Sequence, residues 1–261
     1  MTRELARIFL PPENFDKQEN TAVGGQDEAH YLCHVLRYQE EDNVVLLDGQ
    51  GNAWSARIHR FADQEVFFVL EDRLPCEKES PLETTLVQAL CKKDNFEWVL
   101  QKATELGVKR IIPLESERTE AAFINLPQKK QAKKMARWQK IIKNAAQQCK
   151  RAVIPEIDTP SSFHAFIQAI QNQEHANAWQ VVCHETANQT VGEIINTDNR
   201  QLLPVMILIG PEGGFTETEL RLASAAGFKD MRLGPRILRT ETAGVVALTL
   251  MQYELGDLGG R

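Results

Sequence analysis

Residues 205–254 read VMILIGPEGGFTETELRLASAAGFKDMRLGPRILRTETAGVVALTLMQYE, and this stretch decides the fold class of the chain. Two short apolar runs, 205–209 and 231–233, are each followed by a loop with glycine and proline, and each loop leads into a helical pattern. Ligands of open α/β sheets bind in the loops at the carboxyl ends of the strands. The stretch therefore predicts two ligand-binding loops in an α/β domain.

The same alternation of strand and helix extends back towards residue 84. Further strands are predicted at 84–90, 108–114 and 179–183, with helical patterns between them. Such alternation is typical of a mostly parallel sheet that is covered by helices on both faces.

The first 75 residues have a different pattern, with several predicted strands and one helical segment. The strands are 44–47, 53–60 and 66–70, and the helical segment is 27–37. A short charged stretch bounded by Pro75 and Pro81 follows. The predicted organisation is a small β-rich domain (1–75), a linker (76–82) and an α/β domain (83–261).

The composition excludes several classes of protein. Of the 261 residues, 43% are hydrophobic and 25% are charged, as in ordinary globular proteins. We expect a soluble, cytoplasmic protein with no membrane partner, because no apolar run is long enough to span a bilayer and no signal-peptide core precedes Pro11. The five cysteines are widely spaced and the six histidines are scattered, so no metal site is predicted.

Positive charge is concentrated in one segment. The net charge of −6 is not typical of a nucleic-acid-binding protein. Residues 121–155, however, contain no Asp or Glu and nine basic residues: Lys129, Lys130, Lys133, Lys134, Arg137, Lys140, Lys143, Lys150 and Arg151. The segment is predicted to be helical over 127–150. It is a candidate track for RNA phosphates, and the alternative is a solvated helix face.

The first loop, Gly210 to Gly214, suits an anionic or nucleotide ligand. Gly213 and Gly214 leave the backbone amides accessible, and the start of the next helix adds a partial positive charge. The alternative is that these glycines only make a tight turn. Because the loop lacks both Gly-Lys-Ser/Thr and G-x-G-x-x-G, neither ATP nor NAD is predicted.

The second loop, residues 233–242, contains apolar residues where a surface turn is usually polar. Ile237 and Leu238 lie between Arg236 and Arg239, which indicates that a ligand or a second segment covers them. Thr240 and Thr242 are candidates to cap the next helix.

The two loops together carry a resemblance to a known family. The motifs GPEGGF (210–215) and LGPRILRTETA (233–243) closely resemble the signature of the RsmE-type ribosomal RNA methyltransferases of the SPOUT superfamily. HYLCHVLR (30–37), FEWVLQKATELGV (96–108) and SER (116–118) resemble further motifs of that family in the same order. The resemblance covers nearly the whole chain.

The resemblance implies a fold and a cofactor. The family pairs a PUA-like β-barrel RNA-binding domain with a SPOUT domain whose carboxyl-terminal trefoil knot holds S-adenosylmethionine, and it works as a homodimer with the knot region in the interface. By the family's pattern, the cofactor-binding residues would be His184, Glu185, Ile209, Gly210, Pro211, Glu212, Gly213, Gly214, Leu233, Gly234, Ile237, Leu238 and Thr242.

The resemblance also implies a reaction: methyl transfer from S-adenosylmethionine to N3 of a specific uridine in small-subunit (16S) ribosomal RNA, in the assembled 30S subunit. N3 carries a proton in neutral uracil, so attack requires its removal. We predict that Arg239 orients the base or offsets charge on its oxygen, and that Glu241 accepts the proton, with Glu212 as the second choice. The alternative is that Glu241 only favours the helix start and Arg239 pairs with a backbone carbonyl.

One motif departs from the family pattern. Where the family commonly has Glu-Gln-Ser/Cys-Gly-Arg, this chain has Gln147, Gln148, Cys149, Lys150 and Arg151. Gln147 is neither an acid nor a base. The candidate RNA-binding residues are Arg3, Arg7, Arg37, Lys133, Arg137 and Arg151. Residues 1–75 contain seven Lys and Arg against fourteen Asp and Glu, so an RNA role there depends on a local patch.

Three alternatives remain open from the sequence. A SPOUT enzyme of this kind can act on a ribose 2′-hydroxyl or on transfer RNA. A ribosome-assembly factor can keep the fold and bind RNA without turnover, and a metabolic α/β enzyme is the third possibility.

Overall fold

The computed structural model describes residues 5–76, 78–120, 122–172, 178–197 and 203–259. The chain divides into two compact units. The first consists of Met1–Glu79 with Ala146–Ile154, and the second of Ser80–Ala145 with Pro155–Arg261. Arg3, a candidate RNA contact, lies outside the described residues. Within the described ranges, no helix combines the length and apolar character needed to cross a membrane.

The first unit is built on a six-stranded sheet. Its strands are β1 (Arg7–Phe9), β2 (Phe15–Asp16), β3 (Thr21–Gly24), β4 (Asn43–Leu47), β5 (Ala53–Ala62) and β6 (Glu65–Leu74), in the order β1-β4-β5-β6-β3-β2. All neighbours are antiparallel except β1 and β4. The predicted helical segment is a short helix α1 (Gln26–His30) that continues as a π-helical turn, Tyr31–Val35.

Both faces of this sheet are packed. Leu46 of β4 points into one apolar cluster, whereas Val45 and Leu47 belong to a second cluster on the opposite face, as alternation along a strand requires. Ala146 and Ala152 pack into the second cluster. This contact explains why residues 146–154, far along the chain, belong to the first unit.

The predictions of β4, β5 and β6 are confirmed, whereas β1, β2 and β3 were not predicted. These three strands have two to four residues each, so they offer too little alternation to stand out from the surrounding polar and proline residues.

The second unit is the predicted α/β structure, and its sheet, which was expected to be mostly parallel, is parallel at every strand pair of the described residues. Its strands are β7 (Thr84–Ala89), β8 (Arg110–Glu115), β9 (Glu156–Ile157), β10 (Ser161–Ser162), β11 (Trp179–Cys183), β12 (Val205–Ile209) and β13 (Lys229–Met231). Its helices are α2 (Lys93–Glu105), α3 (Gln128–Gln148, ending in the first unit), α4 (Phe163–Asn172), α5 (Val191–Thr197), α6 (Glu217–Ala225) and α7 (Thr240–Glu254). The sheet order is β10-β8-β7-β12-β11-β13, and β9 also pairs with β8.

The central strand β12 is buried along its whole length, which is typical of a parallel strand covered on both faces. Its last residue, Ile209, pairs with Gln88 of β7 and with Cys183 of β11. Cys183 in turn pairs with Met231 of β13. The carboxyl ends of these four strands are therefore level at one edge of the sheet.

The last strand, β13, ends two residues earlier than predicted. The sequence places it at 231–233, but it spans Lys229–Met231, because these residues pair with Val181–Cys183 of β11. Only Met231 of the three is buried. The edge strand therefore carries too little apolar pattern to fix its bounds, and the second loop is longer than expected.

Helix α7 packs against α2, β7 and β12, and it approaches β7 closely at Gly244. A Cβ atom at Gly244 would lie 2.4 Å from Oε1 of the buried Gln88 side chain. At Gly192, in α5, a Cβ would meet no atom within 4 Å. A side chain at Gly244 would therefore require the buried Gln88 amide to move.

We expect Gly244→Ala and Gly192→Ala to change the free energy of unfolding in opposite directions. Overpacking against Gln88 lowers it by about 1–3 kcal/mol. At Gly192 alanine raises it by about 0.4–1 kcal/mol, because it restricts the unfolded chain without a clash. Urea unfolding measures both variants. Equal effects of the two substitutions would contradict the close packing of α7 on β7.

Candidate active site

The predicted cofactor segments follow three neighbouring strands at the same edge of the sheet. Residues 184–185 follow β11, residues 210–214 follow β12, and residues 233–238 lie in the loop after β13. Because the carboxyl ends of these strands are level, the loops are neighbours in space. The edge is the position at which ligands bind in open α/β sheets.

The first loop is a tight turn with an accessible backbone. The amide of Gly214 donates to the carbonyl of Pro211 at 2.9 Å. Gly214 has a φ of +67°, in the left-handed region that favours glycine, and a Cβ there would meet no atom within 4 Å. The turn thus needs its glycine for conformation and also leaves open space beside it.

The loop after β8 holds the first loop in place. Arg118 donates from Nη1 to the carbonyl of Gly213 at 2.9 Å. The amide of Glu117 donates to Oε1 of the buried Glu219 at 2.9 Å. The other oxygen of Glu219 accepts from the amide of Thr216, whose side chain in turn caps α6, so the two residues form a capping box. The segment SER (116–118) is therefore tied to the turn and to the helix after it.

The second loop exposes apolar and basic side chains. Ile237 is 82% exposed, and Leu238 is half-buried. Gly234 has a φ of +119°, and a Cβ there would meet no atom within 4 Å. Arg236 and Arg239 are exposed, and we find no hydrogen bond or ion pair between either guanidinium and the described residues. The alternative in which Arg239 pairs with a backbone carbonyl therefore has no support in the described part of the chain.

Thr240 does not cap α7, contrary to the prediction. The helix begins at Thr240 itself, with Arg239 at the capping position and no side-chain cap. The Thr240 hydroxyl instead donates to the carbonyl of Gly210 and accepts from Nε2 of Gln88 at 3.0 Å. Thr242, a predicted cofactor residue, lies half-buried in the first turn of α7.

Glu241 is held by a residue that the sequence did not single out. Asn95, in the first turn of α2, donates from Nδ2 to Oε1 of Glu241 at 3.0 Å. Oε2 of Glu241 is buried and has no hydrogen-bond partner among the described residues. Glu212 is exposed, and its Oε1 lies 3.4 Å from the amide nitrogen of Lys92. The two predicted carboxylates are thus brought to the start of α2.

Cys91 lies beside both carboxylates. Burial, together with the negative charges of Glu212 and Glu241, raises the pKa of the Cys91 thiol to about 12. The thiol is therefore protonated at neutral pH and is a poor nucleophile.

The His184 side chain is engaged within the structure. Its Nδ1 lies 2.9 Å from the Thr186 hydroxyl, and its Nε2 lies 3.1 Å from Oδ1 of Asp230. Its backbone amide donates to the carbonyl of Met231 at 3.2 Å. The neighbouring Glu185 is exposed. The backbone hydrogen bond to Met231 holds the loop after β11 beside β13, whereas Nε2 of His184 makes no hydrogen bond among the described residues.

Helix α3 presents a basic stripe on the side opposite its buried residues. Lys129, Lys133 and Lys140 are exposed, and at ~100° per residue they lie within roughly 40° of one another around the helix axis. Arg137 is exposed but forms a two-pronged ion pair with Glu97, at 2.6 and 2.7 Å. Hydrogen bonding to Glu97, together with the negative charge of that carboxylate, also raises the pKa of Arg137. We call Lys129, Lys130, Lys133, Arg137 and Lys140 the α3 stripe.

The predicted RNA contact Arg151 is buried and paired with an acidic residue in this structure. Its side chain is 5% exposed, and its Nη2 and Nε lie 2.9 and 3.1 Å from Oε2 of Glu79. Oε1 of Glu79 accepts from the amides of Ala152 and Val153 at 2.9 and 3.0 Å. A guanidinium that is buried and paired in this way is not available to a phosphate.

Two further RNA candidates lie in the first unit. Arg37 is exposed, with a left-handed φ of +57°. Arg7 is half-buried, with Nη2 3.4 Å from the carbonyl oxygen of Lys150. Arg37 is therefore the more accessible of the two.

The described cysteines are all free thiols. Over the same described ranges, we find no group of three or more His, Cys, Asp or Glu side chains that could hold a metal ion.

Two sequence families match the chain. The RNA methyltransferase domain family matches residues 78–252. The RNA methyltransferase PUA domain family matches residues 23–70.

Two curated relatives match most of the chain, and both are named ribosomal RNA small subunit methyltransferase E. The protein from Synechocystis is 35% identical over 93% of this chain and 75% of its own length. The protein from Bacillus subtilis is 30% identical over 97% of both chains.

Two solved structures are similar over 98% of this chain and 100% of their own length. A methyltransferase from Legionella pneumophila, in complex with the bound cofactor SAM, is 34% identical with a TM-score of 0.85. A ribosomal RNA small subunit methyltransferase E from Neisseria gonorrhoeae, bound to S-adenosylmethionine, is 30% identical with a TM-score of 0.84.

Proposed function

The chain belongs to the ribosomal RNA small subunit methyltransferase E family, and from this premise we propose that it transfers a methyl group from S-adenosylmethionine to N3 of a specific uridine in small-subunit ribosomal RNA. One observation carries the proposal. The loops GPEGGF and LGPRILRTETA lie at one edge of a parallel sheet, in a fold that two S-adenosylmethionine-bound methyltransferases share over nearly their whole length.

The residues at this edge fit S-adenosylmethionine by their chemistry. Open space beside Gly214 and Gly234 lets a ligand approach the backbone of both loops. Leu233, Ile237 and Leu238 offer apolar surface to an adenine ring, and Glu185 and Glu212 offer acceptors for hydroxyl and amino groups. The proposed set is His184, Glu185, Ile209 to Gly214, Leu233, Gly234, Ile237, Leu238 and Thr242. When bound, the cofactor supplies an electrophilic methyl group on a positively charged sulfur.

The proposed proton acceptor is Glu241. Its Oε1 is fixed by Asn95, so the carboxylate has one defined orientation. Its Oε2 has no partner among the described residues, and a buried carboxylate oxygen without a hydrogen bond is unfavourable unless a ligand supplies one. The N3–H of uracil is such a donor. Glu212 remains the second candidate because it lies at the same place but is exposed.

Arg239 is proposed to orient the base or to offset negative charge on a uracil oxygen. It immediately precedes α7, is exposed, and has no side-chain partner among the described residues. Its guanidinium is therefore free to donate to a substrate oxygen, which gains charge as N3 loses its proton.

The first unit is proposed to be a PUA-like β-barrel RNA-binding domain of residues 1–75, joined by a linker (76–82) to a SPOUT domain (83–261). We also propose the family's carboxyl-terminal trefoil knot. Its support is that the chain runs from β12 past β11 to β13 and then returns, so that α7 packs on β7 and β12.

A cytoplasmic homodimer is the proposed form of the enzyme. Ile237 is exposed, as is Tyr253 of α7. Val245, Val246 and Leu250 of α7 are only half-buried. Apolar residues that a chain leaves uncovered in one region are typical of an interface between subunits.

The RNA track is proposed to follow the α3 stripe. Helix α3 follows β8 in the chain. The loop between them contains Arg118, which bonds to Gly213 of the first loop, so α3 begins near the edge of the sheet at which the site lies. Phosphate contacts by lysine supply affinity that does not depend on sequence. Lys133 and Arg137 remain proposed contacts, together with Arg7 and Arg37 of the first unit.

We expect the triple variant Lys129→Gln, Lys133→Gln, Lys140→Gln to bind small-subunit RNA with a weaker salt dependence. Each lost phosphate contact to single-stranded RNA lowers the slope of log affinity against log salt by about 0.7, so three contacts lower it by about 2. Fluorescence anisotropy over a range of salt concentrations measures the slope. A matched variant, Lys17→Gln, Lys102→Gln, Lys109→Gln, loses the same charge elsewhere and should keep the wild-type slope. Equal slopes in both variants would show that the α3 stripe does not bind RNA phosphates.

Methylation of defined substrates tests the proposed function. The protein is incubated with labelled S-adenosylmethionine and either unmodified small subunits or free RNA, and the methylated nucleoside is identified by mass spectrometry. We expect N3-methyluridine, with assembled 30S subunits as the better substrate. A 2′-O-methylated nucleoside, methylation of transfer RNA only, or RNA binding without turnover would each contradict the proposal.

A further inference from the structure

Gln88 is a polar residue in the most buried part of the sheet. It lies in β7, is 0% exposed, and pairs with Ile209 of β12. A buried amide is unfavourable unless it is hydrogen-bonded. Its Nε2 donates to the Thr240 hydroxyl at 3.0 Å and lies 3.3 Å from the carbonyl oxygen of Ala89.

The Thr240 hydroxyl is hydrogen-bonded both to Gln88 and to the first loop. An amide nitrogen can only donate, so the hydroxyl accepts from Gln88 and uses its single hydrogen to donate to the carbonyl of Gly210. Thr240 is 4% exposed, so water does not compete for these groups. These two hydrogen bonds connect Gln88 of β7, Thr240 at the start of α7 and Gly210, the first residue after β12.

Two other threonines in helices of the described residues behave differently. The hydroxyl of Thr104 donates to the carbonyl of Leu100, and that of Thr249 donates to the carbonyl of Val245. In both cases the acceptor lies four residues earlier in the same helix, which is the ordinary local contact of threonine. Thr240 instead uses an acceptor 30 residues earlier, in the other loop of the site.

The position of this contact ties it to the site. Gly210 begins the turn whose backbone is open at Gly214, and Thr240 separates Arg239 from Glu241. One hydroxyl therefore bonds directly to the start of the first loop from the first residue of α7.

We propose that Gln88 and Thr240 are positioning residues that hold the two loops at the separation S-adenosylmethionine binding requires. This inference rests on the proposed function. Neither side chain needs to contact the cofactor. A preorganised site binds its ligand more tightly because less ordering is required on binding.

Calorimetric titration with S-adenosylmethionine tests the proposal. We expect Thr240→Val, which keeps the shape but removes both hydrogen bonds, to raise the dissociation constant by about 10-fold or more. Thr240→Ser keeps the hydroxyl and should bind within about threefold of the wild type. Gln88→Met keeps the volume and the Thr240–Gly210 contact, so a smaller increase, about three- to tenfold, is expected.

Thr104→Val is the matched control. It also removes a buried threonine hydroxyl, but in α2 and away from the loops, so its affinity for S-adenosylmethionine should equal that of the wild type. Thermal unfolding without ligand reports any general loss of stability. A positioning role requires Thr240→Val to lose more affinity than Thr104→Val at comparable melting temperature.

The possible outcomes separate the two proposals. Wild-type protein that does not bind S-adenosylmethionine would contradict the proposed function. Wild-type binding with equal affinity in Thr240→Val and Gln88→Met would contradict only the positioning role. If Thr240→Val does not fold, Gln88→Met and Thr240→Ser decide between these outcomes.

Discussion

Replacing Glu241 with Gln should lower kcat for methyl transfer to small-subunit RNA by about 10²–10⁴-fold, the contribution typical of a general base. Glutamine has nearly the same shape and keeps an oxygen that can accept from Asn95, so the start of α7 should not move. Its amide nitrogen cannot take a proton from uracil N3. We therefore expect the affinity for S-adenosylmethionine to stay within about threefold of the wild type.

The control for Glu241→Gln is Glu217→Gln. Glu217 also lies in the first turn of a helix, α6, and is exposed. If Glu241 only favoured the positive end of its helix, the two substitutions would have similar small effects on stability and none on kcat. Single-turnover rates with saturating cofactor separate the chemical step from binding. Full turnover by Glu241→Gln would remove Glu241 from the mechanism and leave Glu212 as the candidate.

Substitution of Asn95 provides a second test of Glu241 as the proton acceptor. Asn95→Ala removes the hydrogen bond to Oε1 but leaves the carboxylate in place. A base that is present but less well oriented should retain part of its effect, so the loss in kcat should be smaller than for Glu241→Gln.

The sequence predicted the central part of the site because its signals are local. Strands β11 and β12 were predicted with the observed bounds. Strand β12 is an uninterrupted apolar run, as expected of a buried parallel strand, and β11 is apolar except for Gln180. The turn at Gly214 and the capping box at Thr216 are likewise encoded within a few residues. The order of the strands follows from none of these signals, because it depends on which strands pair.

The contacts that complete the site join residues far apart in the chain. Gln88 and Thr240 are 152 positions apart, and Asn95 and Glu241 are 146 positions apart. Neither Gln88 nor Asn95 breaks a local rule strongly enough to be noticed: one glutamine in an apolar strand and one asparagine at a helix start are common. Only the fold reveals that each faces a residue of the second loop.

The role of Arg151 could not be predicted either, because its charge is paired with a residue far away in the chain. In the sequence it ends the basic segment, so it resembles the other RNA candidates. Its partner Glu79 lies 72 positions earlier, within the predicted linker. The linker was expected only to separate two domains, yet Glu79 holds the segment 152–153 through its second oxygen. Local charge counts cannot distinguish a basic residue that faces solvent from one that is buried beside an acid.

Arg151→Met is expected to lower the free energy of unfolding by about 3 kcal/mol, the lower end of the range for breaking a buried ion pair. Methionine replaces the apolar stem of arginine but not the guanidinium, so Glu79 loses its countercharge. The value lies at the lower end because the Glu79 side chain is 24% exposed and keeps its hydrogen bonds from two backbone amides. Urea unfolding, followed by tryptophan fluorescence, to which Trp54 of the first unit contributes, measures the change.

Arg137→Met provides the comparison that decides between a structural and an RNA-binding role. Each arginine uses two guanidinium nitrogens to pair with a glutamate, but the Arg137 side chain is 56% exposed and that of Arg151 is 5% exposed. Exposed ion pairs contribute little, so Arg137→Met should leave the unfolding curve almost unchanged and weaken RNA binding, with a smaller salt slope. Arg151→Met should do the reverse, because its guanidinium neutralises Glu79 rather than a phosphate. If Arg151→Met instead unfolds like the wild type and binds RNA with a reduced salt slope, Arg151 is an RNA contact. The ion pair with Glu79 would then have to break when RNA binds.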